Sequence, residues 1–145
     1  MHAKFPITVH MLFIRENNIL LSRRFQTGYM DGYYSVPAGH LDGGETITRA
    51  AIRESYEETG TTVSPQDISF ATVIHRYEDE ERVDFFVWVR HWDKEPVNTE
   101  THKCDDLSWF PLSDLPVNLI PYIDQGLKNA LQGIPFSAFG WKDQV

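Results

Sequence analysis

The sequence predicts an α/β (α+β) domain built on a mixed β-sheet. Three observations point there. Two apolar β-rich segments open the chain, a helix without Gly or Pro follows at Thr46–Thr59, and two further β-branched and aromatic segments flank a charged turn before a last helix. At 145 residues, with 41% hydrophobic and 13% aromatic content, the chain is long enough to bury a real core and is most simply one domain spanning 1–145.

Taken in order, Ile7–Ile14 and Ile19–Arg24 read as strands joined at the polar turn Glu16–Asn18. A loop through Thr27–Gly32 leads to a short strand at Tyr34–Pro37. Gly39–Gly44 then form a Gly-rich loop entering the first helix. Gly60 stands where a helix C′ residue is expected. Ile68–Tyr77 and Val83–Trp92 read as a long hairpin around a solvent turn at Glu78–Arg82. A polar loop over Asp93–Asp106 precedes a short strand at Leu107–Pro111. Pro121 marks the first turn of a last helix running to about Leu131.

The first helix carries the chemistry. At about 100° per residue, Glu54, Glu57 and Glu58 fall within an arc of roughly 100°, while Ala51, Ile52, Ser55 and Thr59 lie on a side that packs inward. Like charges three and four apart repel, so three acids on one stripe invite a cation. All-oxygen ligands suit a hard divalent ion, Mg2+ or Mn2+, which keeps waters and favours phosphate oxygens as its remaining ligands. The glycines of the loop let backbone approach a phosphate closely. No G-K-[ST] follows them, so this is not a P-loop, and the D-x-D-x-D-G ladder of an EF-hand is missing.

Composition sets further bounds. A net charge of −8 speaks against a general nucleic-acid binder, which needs a basic stripe. The single cysteine, Cys104, excludes an intrachain disulfide and fits a reducing compartment. The N-terminal apolar run is broken by Pro6, His10 and Arg15 and is too short to cross a bilayer, so a cytoplasmic location is the default expectation. The histidines His10, His40, His75, His91 and His102 show no metal-ligand spacing.

The stretch Gly39–Thr61, GHLDGGETITRAAIRESYEETGT, holds Gly39, Glu45, Arg53, Glu54, Glu57, Glu58 and Gly60 in the order G-x5-E-x7-R-E-x2-E-E-x-G. With each residue type used at roughly 5–7%, these seven matches arise by chance on the order of once in 10^8 windows. The stretch resembles the Nudix box. That resemblance implies the Nudix fold, an α/β/α sandwich, and hydrolysis of a pyrophosphate bond in a nucleotide substrate with a divalent metal. It further implies that Glu54, Glu57 and Glu58 hold the metal, with Gly39 contributing its carbonyl. Arg53 would orient the glutamates and Glu45 would support the loop–helix junction.

Outside the box the match is looser. Glu100 falls where MutT-type members place an extra glutamate that binds metal or acts as a base. Asn118, in LPVNLIPYI, is nearest to the asparagine with which they read a purine. His40 lies in the box loop and is a candidate to meet a phosphate. Tyr34 is a candidate for stacking on a base, as are Tyr33, Tyr77, Trp92 and Phe139. The two aliphatic positions of the box are Ser55 and Thr61 here, and Ala38 replaces a usual glycine.

Markers of ADP-ribose, NADH and coenzyme A members are missing, whereas WDKEPVNTE at Trp92–Glu100 and KCDDLSWFP at Lys103–Pro111 resemble MutT-like (d)NTP pyrophosphohydrolases. The expected substrate is therefore a nucleoside triphosphate, oxidised or non-standard ones included. Dinucleoside polyphosphates, nucleotide sugars, RNA 5′-triphosphates and a non-catalytic nucleotide sensor remain open alternatives. So does the oligomeric state, monomer or homodimer.

Overall fold

The computed structural model describes residues 1–142. Its strands are β1 (Ile7–Arg15), β2 (Asn18–Arg24), β3 (Tyr34–Ser35), β4 (Ala38–His40), β5 (Ile68–Glu78), β6 (Glu80–Val89), β7 (Cys104–Pro111) and β8 (Phe136–Phe139). Its helices are α1 (Ile47–Thr59) and α2 (Pro121–Gln132), with one 3-10 turn at Pro65–Asp67.

The sheet is mixed and divides into two wings. In one, β1 runs parallel to β6 from Ile7↔Val83 to Phe13↔Val89 and antiparallel to β4 at Thr8–His10; β5 joins β6, and β8 closes the edge parallel to β5. In the other, β2 pairs antiparallel with β7 and β3. Only Ile14↔Ile19 and Arg15↔Asn18 link β1 to β2, so the wings separate beyond that corner.

Alternation along β1 sends successive side chains to opposite faces. Val9, Met11 and Phe13 meet Ala50 and Ala51 of α1, whereas Leu12, with Phe86 and Ile74, meets Ile123 and Leu127 of α2. One helix on each face makes the sandwich the sequence leads one to expect. No helix among the described residues is long and apolar enough to cross a membrane.

Helix α1 is delimited as its sequence dictates. The Thr46 hydroxyl accepts from Arg49 N at 3.1 Å, and Gly60 takes φ +73° with its N–H on Tyr56 O. The buried side is Ala50, Ala51, Ser55 and Thr59, with Ile52 only half-buried.

Two expectations need correction, and one strand is new. The hairpin turns at Asp79 alone (φ +65°), not across Glu78–Arg82, because Tyr77↔Glu81 and Arg76↔Arg82 continue the ladder through a charged stretch. Cross-strand pairs such as His75–Glu81 (2.7 Å) make that stretch a strand despite its polarity. The segment Ala38–His40, read as loop, pairs with β1. β8, which no sequence signal marked, follows Pro135.

Candidate functional site

Between the wings lies a cavity of about 620 Å3. Gly39, His40, Glu54, Glu58 and Glu100 line one end of it, and Arg23, Arg24, Tyr29, Arg82 and Tyr122 also lie along its walls.

Arg53 organises the acidic end. Its Nε and Nη2 donate to Glu45 at 3.2 and 2.6 Å, Nη1 to Glu54 at 2.7 Å and Glu57 at 3.2 Å, and Nη2 also to the His40 carbonyl at 3.1 Å. Glu45 in turn accepts from Asp42 N at 2.8 Å, which ties the Gly-rich loop to the helix. Hydrogen bonds from Arg53 and the Asp42 amide hold the Glu45 carboxyl below the usual carboxylate range, and the Arg53 guanidinium is held above its own.

Glu58 behaves differently. Its Oε1 lies 3.5 Å from Ala38 N, while Oε2 is buried with no partner. Burial first, then the Glu54 carboxylate and Glu100, push the Glu58 carboxyl well above its ordinary value. Glu54, Glu58 and Glu100 are thus carboxyl groups converging on a site where burial and mutual proximity disfavour the charged form of Glu58. Gly39 belongs to the same constellation. A methyl group at its Cα would overlap the Glu54 carboxylate, so glycine here leaves that carboxylate its room against β4.

This donor set fits a hard divalent cation. An orphaned buried carboxylate oxygen, all-oxygen chemistry and a glycine backbone at the carboxylates all point the same way. Among the described residues, however, no three His, Cys, Asp or Glu side chains already stand at metal-holding spacing. The sequence puts Glu54, Glu57 and Glu58 on one stripe, but Glu57 is half-exposed on Arg53 and does not line the cavity.

Glu100 reaches the site through contacts that its sequence neighbourhood does not reveal. Val97 N donates to Thr59 O at 2.9 Å, Thr99 N to Glu58 O at 3.4 Å, and the Thr99 hydroxyl to Glu57 O. These are the last carbonyls of α1, which lack partners inside the helix. Asn98 then accepts from Glu100 N at 3.0 Å and donates to Cys104 O at 2.7 Å. The loop carrying Glu100 is therefore docked on the end of the helix carrying Glu58.

His40 does line the cavity. Tyr34 and Asn118 are not among its lining residues. The Tyr34 ring is buried among core residues with its hydroxyl on Asp106, and Asn118 donates to Gly32 O at 2.8 Å. Of the other aromatics considered, Trp92 stacks on Trp109, Tyr77 and Trp141 meet at the surface, and Phe139 packs on Tyr122. The tyrosines on the cavity are Tyr29 and Tyr122. Nothing local in the sequence distinguishes them.

Beneath Tyr122 lies a buried polar group. Arg76 binds Asp84 through Nε at 2.6 Å and stacks 3.6 Å over the Tyr122 ring. The fully buried His10 lies 3.1 Å from both Phe85 O and Tyr122 Oη. Since a carbonyl only accepts, His10 Nδ1 carries the proton and Nε2 accepts from Tyr122.

Comparison with known proteins identifies the family. The NUDIX domain model matches residues 4–132. An 8-oxo-dGTP diphosphatase of Escherichia coli (strain K12) is 32% identical over 98 residues, covering 67% of this chain and 74% of that protein. An RNA pyrophosphohydrolase of Wolbachia pipientis subsp. Culex pipiens (strain wPip) is 41% identical over 56 residues, 39% of this chain and 33% of that protein. A MutT NUDIX hydrolase from Burkholderia pseudomallei superposes with a TM-score of 0.80 at 25% identity, covering 87% of this chain and 98% of that one.

Proposed function

The chain belongs to the NUDIX family and hydrolyses a pyrophosphate bond, and from that premise we propose that its substrates are nucleoside triphosphates, cut with Mg2+ or Mn2+ to a nucleoside monophosphate and pyrophosphate. The observation that carries this reading is the cavity itself. It joins Glu54, Glu58 and Glu100 to a wall bearing Arg23, Arg24 and Arg82, with space for a nucleotide between.

Glu54 and Glu58, with the Gly39 carbonyl, would hold the cation, and Glu57, half-exposed on Arg53, would join them by turning from that partner. A bound divalent ion would supply positive charge opposite the phosphate oxygens and acidify a water for attack. Arg53 is a positioning residue that sets the rotamers of Glu54 and Glu57 and, through Glu45, the loop at His40. His40 would meet a phosphate oxygen at the mouth. Glu100, held by Asn98, is the candidate for accepting a proton from the attacking water. Oxidised or non-standard triphosphates fall within this reading, and the E. coli relative is named for one.

A hydrolase of RNA 5′ ends is the less supported reading. The Wolbachia similarity is confined to 56 residues, and a net charge of −8 disfavours a polyanionic chain. Anion-exchange analysis of products from a panel of (d)NTPs, dinucleoside polyphosphates and nucleotide sugars, with and without Mg2+, tests the proposal. Monophosphate plus pyrophosphate from a triphosphate, only with metal, is the expected result. Cleavage confined to the other compounds would replace the substrate, and binding without turnover would indicate a sensor.

A further inference from the structure

Three buried side-chain atoms without partners belong to residues that line this one cavity: Glu58 Oε2, Thr8 Oγ1 and Arg82 Nε. The first is part of the acidic end. The other two lie elsewhere. Thr8 on β1 stands between His40 of β4 and Asp84 of β6 in register, and Arg82, two residues before Asp84, presents its side chain on the same face. Successive strands are about 4.8 Å apart, so Thr8 and Arg82 stand roughly 5 and 10 Å across the sheet from the strand that carries Gly39. A nucleoside whose phosphates lie at the carboxylates would extend over that distance.

A hydroxyl and a guanidinium N–H left unpaired in a buried position cost stability, and Thr8 is only 6% exposed. Arg Nε–H can only donate, so the group that meets both is an acceptor oxygen. Its charge can be narrowed further. Arg82 Nη2 already holds Glu80 at 2.5 Å, which offsets the guanidinium charge and favours a neutral carbonyl over another phosphate. Tyr29, half-buried on the same cavity, adds an aromatic side chain suited to a planar partner.

We propose that Thr8 and Arg82 form a base-reading subsite that donates to a carbonyl oxygen of the nucleobase. Bases bearing a keto group are then preferred over the matching amino-substituted bases. This inference rests on the nucleoside triphosphate reading.

The test compares kcat/KM for ITP against ATP and for UTP against CTP, pairs that differ by one keto-for-amino exchange. Wild type, Thr8→Val and Arg82→Lys are measured, with products identified as monophosphate and pyrophosphate. Wild type should prefer the keto member by roughly 10- to 100-fold, the worth of a hydrogen bond to a charged donor. Each variant should reduce that ratio to a few-fold, chiefly through KM. Thr8→Val should melt at or above wild type, because it removes a buried unpaired hydroxyl, so a folding defect does not confuse the result. A wild type without preference, or ratios unchanged in both variants, overturns the assignment. If no triphosphate is hydrolysed while a dinucleoside polyphosphate or nucleotide sugar is, the triphosphate reading itself fails. A KM increase in the variants on those compounds would then give the acceptor oxygen to a second phosphate or a sugar and overturn the nucleobase assignment.

Discussion

Arg53 Nη1 lies 2.7 Å from Glu54 Oε1, joining a guanidinium to a carboxylate that lines the cavity. The same guanidinium grips Glu45 through two nitrogens. A lysine supplies the charge but not the planar fork that reaches Glu45, Glu54, Glu57 and the His40 carbonyl together. Arg53→Lys should therefore lower kcat by about 10- to 100-fold, the scale expected when reacting groups are misplaced by an ångström. The fold should persist, as circular dichroism would show. Wild-type turnover in this variant would remove Arg53 from the positioning role.

Asn98 links Glu100 to the start of β7, and Val97 and Thr99 dock the same loop on the end of α1. Asn98→Ala should release Glu100 without disturbing Glu54 or Glu58. Steady-state kinetics should show kcat reduced roughly tenfold with KM nearly unchanged, as for a group acting in the chemical step. An effect on KM alone would place Glu100 in substrate binding instead.

His10 provides a pH test of the fold. Burial, more than any neighbouring charge, lowers its pKa to about 4 from the ordinary 6.5. Between those values the unfolded chain binds a proton that the folded chain does not, so stability falls as pH drops through that window. Well above pH 6.5 both states are neutral and His10 contributes no pH dependence. The expected loss between pH 7 and pH 5 is about 2 kcal/mol. Urea titrations of wild type and His10→Gln at both pH values isolate it, since the variant should lack this part of the slope. Parallel slopes would contradict the assignment.

Ser55 replaces an aliphatic residue of the box, and its hydroxyl is fully buried without a partner. Ser55→Ala should stabilise the protein by about 1 kcal/mol, with turnover retained. Chemical denaturation monitored by tryptophan fluorescence would detect a change of that size. A loss of stability would mean that the hydroxyl is satisfied in solution.

The parts of the site that were legible in the sequence are those whose partners are close in the chain. Glu45, Arg53, Glu54, Glu57 and Glu58 lie within fourteen residues, and helical periodicity alone brings the last four together. Gly39 was legible from its place in the motif, although its physical reason, the approach of the Glu54 carboxylate, is a tertiary contact. The remainder depends on pairings across the chain. Thr99 reaches the carbonyl of Glu57, and His10 reaches Tyr122, through contacts no local pattern encodes. Arg82 was hidden in an acidic run that reads as a solvent turn, yet register with Arg76 makes it a strand residue facing the cavity. Tyr34 and Asn118 show the reverse case, since aromatic rings and amides serve cores and loops as readily as ligands.

In the proposed function, Glu58, whose Oε2 is buried and unpaired, forms with Glu54 the core of a divalent-metal site on which hydrolysis depends. Titration calorimetry with Mn2+ on wild type and Glu58→Gln, alongside turnover of the preferred nucleotide, tests it most directly. A saturable Mn2+ site is expected in wild type, weakened at least tenfold in Glu58→Gln, with kcat reduced by orders of magnitude and the fold intact. Equal Mn2+ affinity and near-normal turnover in the variant would contradict it.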